Sequence, residues 1–413
     1  MVLYPFHPIL AWMIYSATKK PINFFLSILL IPIAMYFIID SNRKLPRYLI
    51  YFIIFTLYHL CSAFINDTIP KDTTKLYFIL TDPNVLAVLF FIAVENTNFD
   101  GRFMDKMSNR IFVIVLVSLV VSLIQIKIPT FFFNTNTDED LLYIGESRNF
   151  SIYSWTGLNS LGITFPILVS ILLSTYELKR PALPLVALCG IVVSFLTRTR
   201  YVMLSMIVVL SQLFFNTKTS IKKRVSLVLM FAAGIFLIVA VGYNMGYDIN
   251  EVINTRVLEK NSDMASAKAR VLSYEVFLVV FPDSPWFGVG PETRKDVIDL
   301  LGGEAPIIHV GYLSYLYFYG IVGCLPLFLA VFFLLRNAWM IGNRYNFWGS
   351  YYGLLAFCVA NITMVYFNFS EMGIVLAVIY LRYFNHKSSL ILNDQIPLRE
   401  EPEDNIKIEI QNQ

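Results

Sequence analysis

Apolar runs long enough for a helix to cross a bilayer, about 20 residues or slightly fewer, recur along almost the whole chain. They fall near 22–39, 46–66, 76–95, 110–128, 153–175, 181–197, 200–215, 225–243, 308–335, 347–368 and 371–385. No soluble fold buries so many such segments, and the composition agrees: 57% of the 413 residues are hydrophobic and only 15% are charged, against about 25% charged in soluble domains. The pattern predicts an all-α polytopic membrane protein with about eleven transmembrane helices. The short apolar stretch Tyr4 to Ala17 is either a twelfth span or an interfacial helix.

Lysine and arginine in short loops set the orientation of such a bundle. Arg43, Lys44 and Arg47 form one basic group, and Arg102, Lys106 and Arg110 the next. Lys179 and Arg180, then Lys218, Lys222, Lys223 and Arg224, then Arg336 and Arg344, continue the series in alternate connections. Those connections are expected to be cytoplasmic. The others, 67–75, 129–152, the turn at Arg198 and Arg200, and the segment 244–307, are then expected outside. One transmembrane bundle over 1–387, including the outside segment 244–307, is followed by a polar tail, 388–413, expected to be cytoplasmic and disordered.

Of the segments expected outside, 129–152 and 244–307 are unusual, and the second is far longer than ordinary connections, which favours a functional role for it. The second contains "VLSYEVFLVVF", apolar but about half a span long, as expected of a helix lying in the outer interface. The four cysteines sit in apolar runs and the four histidines are scattered, so no metal site is expected. With a net charge of +3 and no basic stripe, nucleic acid is not an expected partner.

The stretch "SFLTRTRYVML" places Arg198 and Arg200 between two apolar runs too short for two full crossings and a loop. An arginine at that depth is costly unless it meets a wet cavity or a fixed anion. Two readings stand: an interfacial pair snorkelling to lipid phosphates, or an anion site lined by forked donors suited to phosphate. Further polar residues on the expected outer face are Arg148, Arg270 and His309. Together they suggest one cationic pocket. Tyr143, Tyr153, Trp155, Trp286, Tyr312 and Tyr315 are either sugar-stacking rings or ordinary interface aromatics.

The order of these residues resembles the O-antigen polymerase and ligase superfamily. The resemblance rests on Arg148 followed by Asn159, on Thr199–Arg200 opening a span, and on Arg270 followed by "PWFGVG" at 285–290. It continues with His309 and then "GYLSYLYFYGIVG", and covers roughly 145–325. Members often carry Asn directly after the His, where this chain has Val310. The resemblance implies a fold like that of the C-type membrane glycosyltransferases and a metal-independent, inverting transfer needing no cofactor. It implies an oligosaccharide linked to undecaprenyl pyrophosphate as substrate, at the periplasmic face of a bacterial inner membrane. His309, Arg270 and Arg200 would be catalytic, and Arg148, Asn159, Arg198 and Tyr312 would bind substrate. Membrane lipid and a chain-length regulator are the further expected partners. Repeat-unit polymerase is the leading reading and O-antigen ligase the runner-up. A lipid-linked oligosaccharide flippase is less favoured, since no paired Gly/Pro-broken helices in matching halves are evident.

Overall fold

The structure is a computed structural model. It describes residues 4–18, 22–40, 45–69, 74–133, 149–156, 158–179, 183–197, 199–215, 265–291, 295–301, 308, 310–362 and 369–395, with five helical positions between 225 and 240. Side chains at 38–40, 154–159, 176–179, 265–270 and 388–395 are outside that description.

Every regular element among the described residues is helical. In chain order these are α1 (His7–Thr18), α2 (Ile22–Asp40), α3 (Arg47–Ile65), α4 (Lys75–Thr81), α5 (Pro83–Asn96), α6 (Gly101–Lys127) and α7 (Leu158–Lys179). There follow α8 (Leu183–Leu196), α9 (Arg200–Phe215), α10 (Ala265–Val280), α11 (Lys295–Leu300), α12 (Gly311–Tyr345), α13 (Gly349–Ala360) and α14 (Met372–Gln395). The chain is an all-α polytopic membrane protein, as its apolar runs predict.

The spans are less uniform than the sequence suggests. Helices α3, α6 and α12 are each long and apolar enough to cross a membrane. Two more candidates are bent pairs, α1–α2 at 104° and α4–α5 at 55°. The run 76–95 is therefore not one straight helix. Asp82 stops α4 and caps α5, accepting from the backbone N–H groups of Asn84 (2.9 Å) and Val85 (3.0 Å). Pro83, with no N–H to satisfy, occupies the first turn of α5. Helices α8, α9 and α13 are apolar but short. At 14 and 16 residues, α8 and α9 are about 21 and 24 Å long, less than a hydrocarbon core of about 30 Å. Their shared turn, at Arg198, is where the sequence left too little chain.

Helix α7 is the centre of one half of the bundle, packed by α8, α9, α13 and α14. Ile163, Phe165, Ile167, Leu168, Val169, Ile171, Leu172 and Leu173 are all buried, so it is apolar on every side, as a fully enclosed helix must be. Its neighbours come close through small residues: a Cβ on Gly349 or Gly373 would press on the α7 backbone at Ile171 or Thr164, the usual route to close helix contact in a membrane. The other half pairs α3 with α12 and α2 with α5, and α5 and α14 join the halves.

Candidate active site at the expected outer face

The segment "PWFGVG" completes a broken helix. Inside α12, Gly320 has φ 61° and ψ −172°, so the helix is interrupted there. In an unbroken helix the N–H groups of Ile321 and Val322 would donate to the carbonyls of Tyr317 and Phe318. Instead, Ile321 N–H donates to Pro285 O (2.9 Å) and Val322 N–H to Trp286 O (3.0 Å). The freed carbonyls of Tyr317 and Phe318 accept from Val289 N–H (3.1 Å) and Gly290 N–H (2.9 Å). Two helical bonds open and four bonds to the inserted segment replace them. Non-helical backbone at membrane depth persists only where protein satisfies it in this way.

Side chains lock the junction. Tyr58, from α3, donates to Phe287 O (2.7 Å) and Tyr319 O (3.1 Å). Beside it His59 bridges two elements, with Nδ1 2.7 Å from the Tyr319 hydroxyl and Nε2 2.7 Å from Asp82 Oδ2. An ionised Asp82 can only accept, so Nε2 then carries the proton and a neutral imidazole accepts from Tyr319 at Nδ1. The cap of α5, the end of α3 and the break in α12 are thereby tied together. Trp286 and Phe287 point outward, 61% and 65% exposed, as interfacial anchors do.

The residue before α12 matters most to the expected chemistry, and His309 itself lies outside the described residues. Its neighbours do not: Ser314 Oγ donates to the carbonyls of both Ile308 and Val310 (3.0 Å to Val310). The backbone on either side of His309 is thus pinned to the first turn of α12.

Arg200 is the first residue of α9 and is half-buried. The next residue, Tyr201, lies against Gly162 of α7 so closely that a Cβ there would collide with its ring. Asn159 stands one turn before that contact, so α7 and α9 bring Arg200 and Asn159 to the same region of the bundle. Ser160 in that turn donates to Glu371 Oε2 (2.7 Å), at the start of α14. Glu371 is only 8% exposed. Thr197 and Thr199, flanking Arg198, are buried, and Thr197 Oγ1 caps the end of α8 by donating to Ser194 O (2.7 Å).

Other expected residues are placed less fully. Arg148 and Arg198 lie outside the described residues, as does Tyr143. Arg148 precedes Asn149, whose Nδ2 donates to Ser122 O (2.6 Å), so this end of the loop is fastened to α6. Arg270 is helical in α10, its side chain beyond the description. That helix buries Val276, Phe277 and Val280 and exposes Val271, Tyr274, Leu278 and Val279. An apolar exposed face of this kind suits a helix resting in the membrane interface. Tyr312 donates its hydroxyl to Cys358 O (2.7 Å) on α13, which uses the phenol as a helix-to-helix tie. Tyr153 and Tyr315 are buried, so among the described members of the aromatic set Trp286 presents the most open ring.

His59, Asp82 and Glu371 were not singled out by sequence. Asp82 carried a signal, since Asp-Pro inside an apolar run is a helix start. Glu371 carried another, an acid at the head of a span.

The fold and site define a multi-pass helical membrane protein in which the segment 285–290 inserts at the break of α12 and completes its backbone hydrogen bonding. The family model described as O-Antigen ligase matches residues 185–328. That range takes in Arg198, Arg200, Arg270, the 285–290 insertion, His309 and the break at Gly320. No curated protein matches the chain. Over that stretch the match supports a likeness to the O-antigen ligase and polymerase superfamily.

Proposed function

We propose that this chain is a polysaccharide repeat-unit polymerase. It transfers a growing glycan from one undecaprenyl-pyrophosphate carrier to the terminal sugar of another lipid-linked repeat unit, at the periplasmic face of a bacterial inner membrane. The observation that carries this reading is the family match over 185–328, the stretch holding Arg200, Arg270 and His309.

In the proposed reaction the acceptor hydroxyl oxygen attacks the anomeric carbon of the donor, from the face opposite the diphosphate. The bond from that carbon to the diphosphate oxygen breaks with inversion. The hydroxyl proton passes to His309, and a base at this step typically contributes about 10²- to 10⁴-fold. Negative charge grows on the departing diphosphate, where Arg200 and Arg270 would meet it with fixed forked donors. Arg148, Arg198, Asn159 and Tyr312 would hold the carrier and sugars. Metal-independent charge stabilisation by arginine follows from this arrangement.

A ligase, moving finished polymer to lipid A core sugars, is the second reading. The description of the matching family, O-Antigen ligase, favours it. The lipid profile of a deletion strain decides between them. Single repeat units capping the acceptor lipid mean a lost polymerase, whereas full-length polymer held on undecaprenyl pyrophosphate means a lost ligase. A strain with an unchanged profile would overturn both.

A further inference from the structure

At the opposite end of the bundle, α3, α12 and α14 line an open cavity of about 340 Å³. Arg47 opens α3, Arg336 and Asn337 lie in the last third of α12, and Asn385 lies on α14. Phe333 and Met340 form an apolar wall. Among the described residues no carboxylate lines the cavity. Arg47 and Arg336 belong to two of the basic groups expected on the cytoplasmic side, so this cavity faces away from the proposed active site.

The two guanidinium groups are available for a ligand. Neither enters an ion pair with a described residue, and Arg47 rests over the ring of Phe333, 5.7 Å from its centroid. That ring is itself held by a parallel stack on Tyr51, at 5.5 Å, so the guanidinium has a fixed platform. Asn385 Nδ2 donates to Asn337 Oδ1 (3.4 Å), which turns the Asn337 amide so that its own N–H groups remain free to donate. Glu95, which is bonded to the lining residue Tyr48, is engaged: Tyr48 donates to its Oε1 (2.6 Å), and Arg382 lies 4.0 Å from its Oε2.

Two forked cations and an amide donor beside the apolar side chains of Phe333 and Met340 match one ligand chemistry: a phosphate ester carrying an acyl tail. We propose that this cavity is a binding site for the phosphate headgroup of a single anionic phospholipid of the cytoplasmic leaflet. Diffuse attraction of basic residues to an anionic surface needs no cavity and is insensitive to which residues carry the charge. A built site is sensitive to both geometry and position.

The test uses the full-length protein in detergent, titrated with phosphatidylglycerol, with phosphatidylcholine and with water-soluble glycerol 1-phosphate, and read by intrinsic fluorescence and thermal unfolding. Phosphatidylglycerol is expected to bind saturably and raise the melting temperature, and phosphatidylcholine to do neither. The double variant Arg47→Gln/Arg336→Gln should weaken phosphatidylglycerol at least about tenfold, with an unchanged melting temperature in lipid-free detergent. The charge-matched control Arg102→Gln/Lys106→Gln, on exposed residues away from the cavity, should bind as the wild type does. Should the glutamine pair fail to fold, Arg47→Lys/Arg336→Lys keeps the charge and should still lose affinity, because an ammonium lacks the fork. Equal weakening by the Arg102/Lys106 control, or wild-type binding by the lysine pair, overturns the site in favour of surface charge. Saturable binding of glycerol 1-phosphate that matches the lipid overturns the assignment to a membrane lipid.

Discussion

Gly288 and Gly320 stand on the two segments that meet at the break in α12, and each leaves open the space that the backbone just before the other fills. A Cβ on Gly288 would collide with the carbonyl of Phe318, and one on Gly320 with the carbonyl of Trp286. Both also hold positive φ, 70° and 61°, and the pairing of Gly320's φ with ψ −172° is open in practice to glycine alone. Either alanine substitution is therefore expected to destabilise the protein by at least about 1–3 kcal/mol from backbone strain. The two act on one junction, so the double variant should cost less than their sum. Gly101→Ala, where the nearest atom to a new Cβ is 3.8 Å away, is the neutral control. Thermal unfolding in detergent reads all four proteins, and a wild-type melting temperature for Gly320→Ala would contradict the broken-helix junction.

Asp82 has two duties that substitution can separate. Its Oδ1 caps α5 and its Oδ2 meets His59. Asp82→Asn keeps a side-chain oxygen for the cap and leaves His59 a partner after a change of tautomer, so it should be mild. Asp82→Ala removes the cap, worth about 1 kcal/mol, and leaves a buried imidazole nitrogen unpaired at about 1–3 kcal/mol. The alanine variant should unfold at a clearly lower temperature than the asparagine variant. Equal melting temperatures would mean that neither duty matters to stability.

These features divide by what a linear reading can reach. The apolar runs announced the helices, and the shortage of residues between Pro181 and Phe215 announced two short ones, α8 and α9. "FYGIVG" announced nothing, because a glycine in an apolar run reads as part of a continuous span. Its break depends on 285–290, some thirty residues upstream, whose backbone replaces the lost helical bonds. His59 was equally silent: its partners Asp82 and Tyr319 are 23 and 260 residues away in sequence. Arginine and histidine stand out in an apolar chain on composition alone. A backbone insertion has no residue type to mark it.

The orientation rests on alternating basic loops, and cysteine labelling of intact cells with a membrane-impermeant reagent checks it. An introduced Ser262→Cys, within 244–307, should label, and Ser389→Cys, in the tail, should label only after the membrane is opened. The reverse pattern would move the proposed active site to the other side of the membrane.

Charge alone should not replace the arginines. If Arg200 and Arg270 receive the departing diphosphate, Arg200→Lys and Arg270→Lys keep the positive charge but lose the planar two-pronged donor. Turnover of purified lipid-linked repeat units should fall at least about tenfold in each, at wild-type protein abundance. Polymer of normal length and yield from both would favour arginines that merely reach lipid phosphates.

His309 offers the sharpest separation of roles. Ser314 fixes the carbonyls of Ile308 and Val310 on either side of position 309, and neither bond uses the side chain at 309. A substitution at 309 should then alter chemistry more than fold. If His309 is the general base that takes the acceptor hydroxyl's proton, its loss should slow elongation about 10²- to 10⁴-fold. His309→Ala and His309→Gln should be similarly slow, because an amide can hydrogen-bond the hydroxyl yet takes up no proton at neutral pH. Melting temperatures near wild type, and retained binding of the lipid-linked donor, would show that chemistry alone was lost. Ser314→Ala is the companion: it keeps the imidazole but frees the carbonyls of Ile308 and Val310, so elongation should fall by less than in His309→Gln. In a reconstituted assay, a His309→Gln enzyme elongating at close to the wild-type rate would exclude proton transfer and leave His309 as a positioning residue for the acceptor sugar.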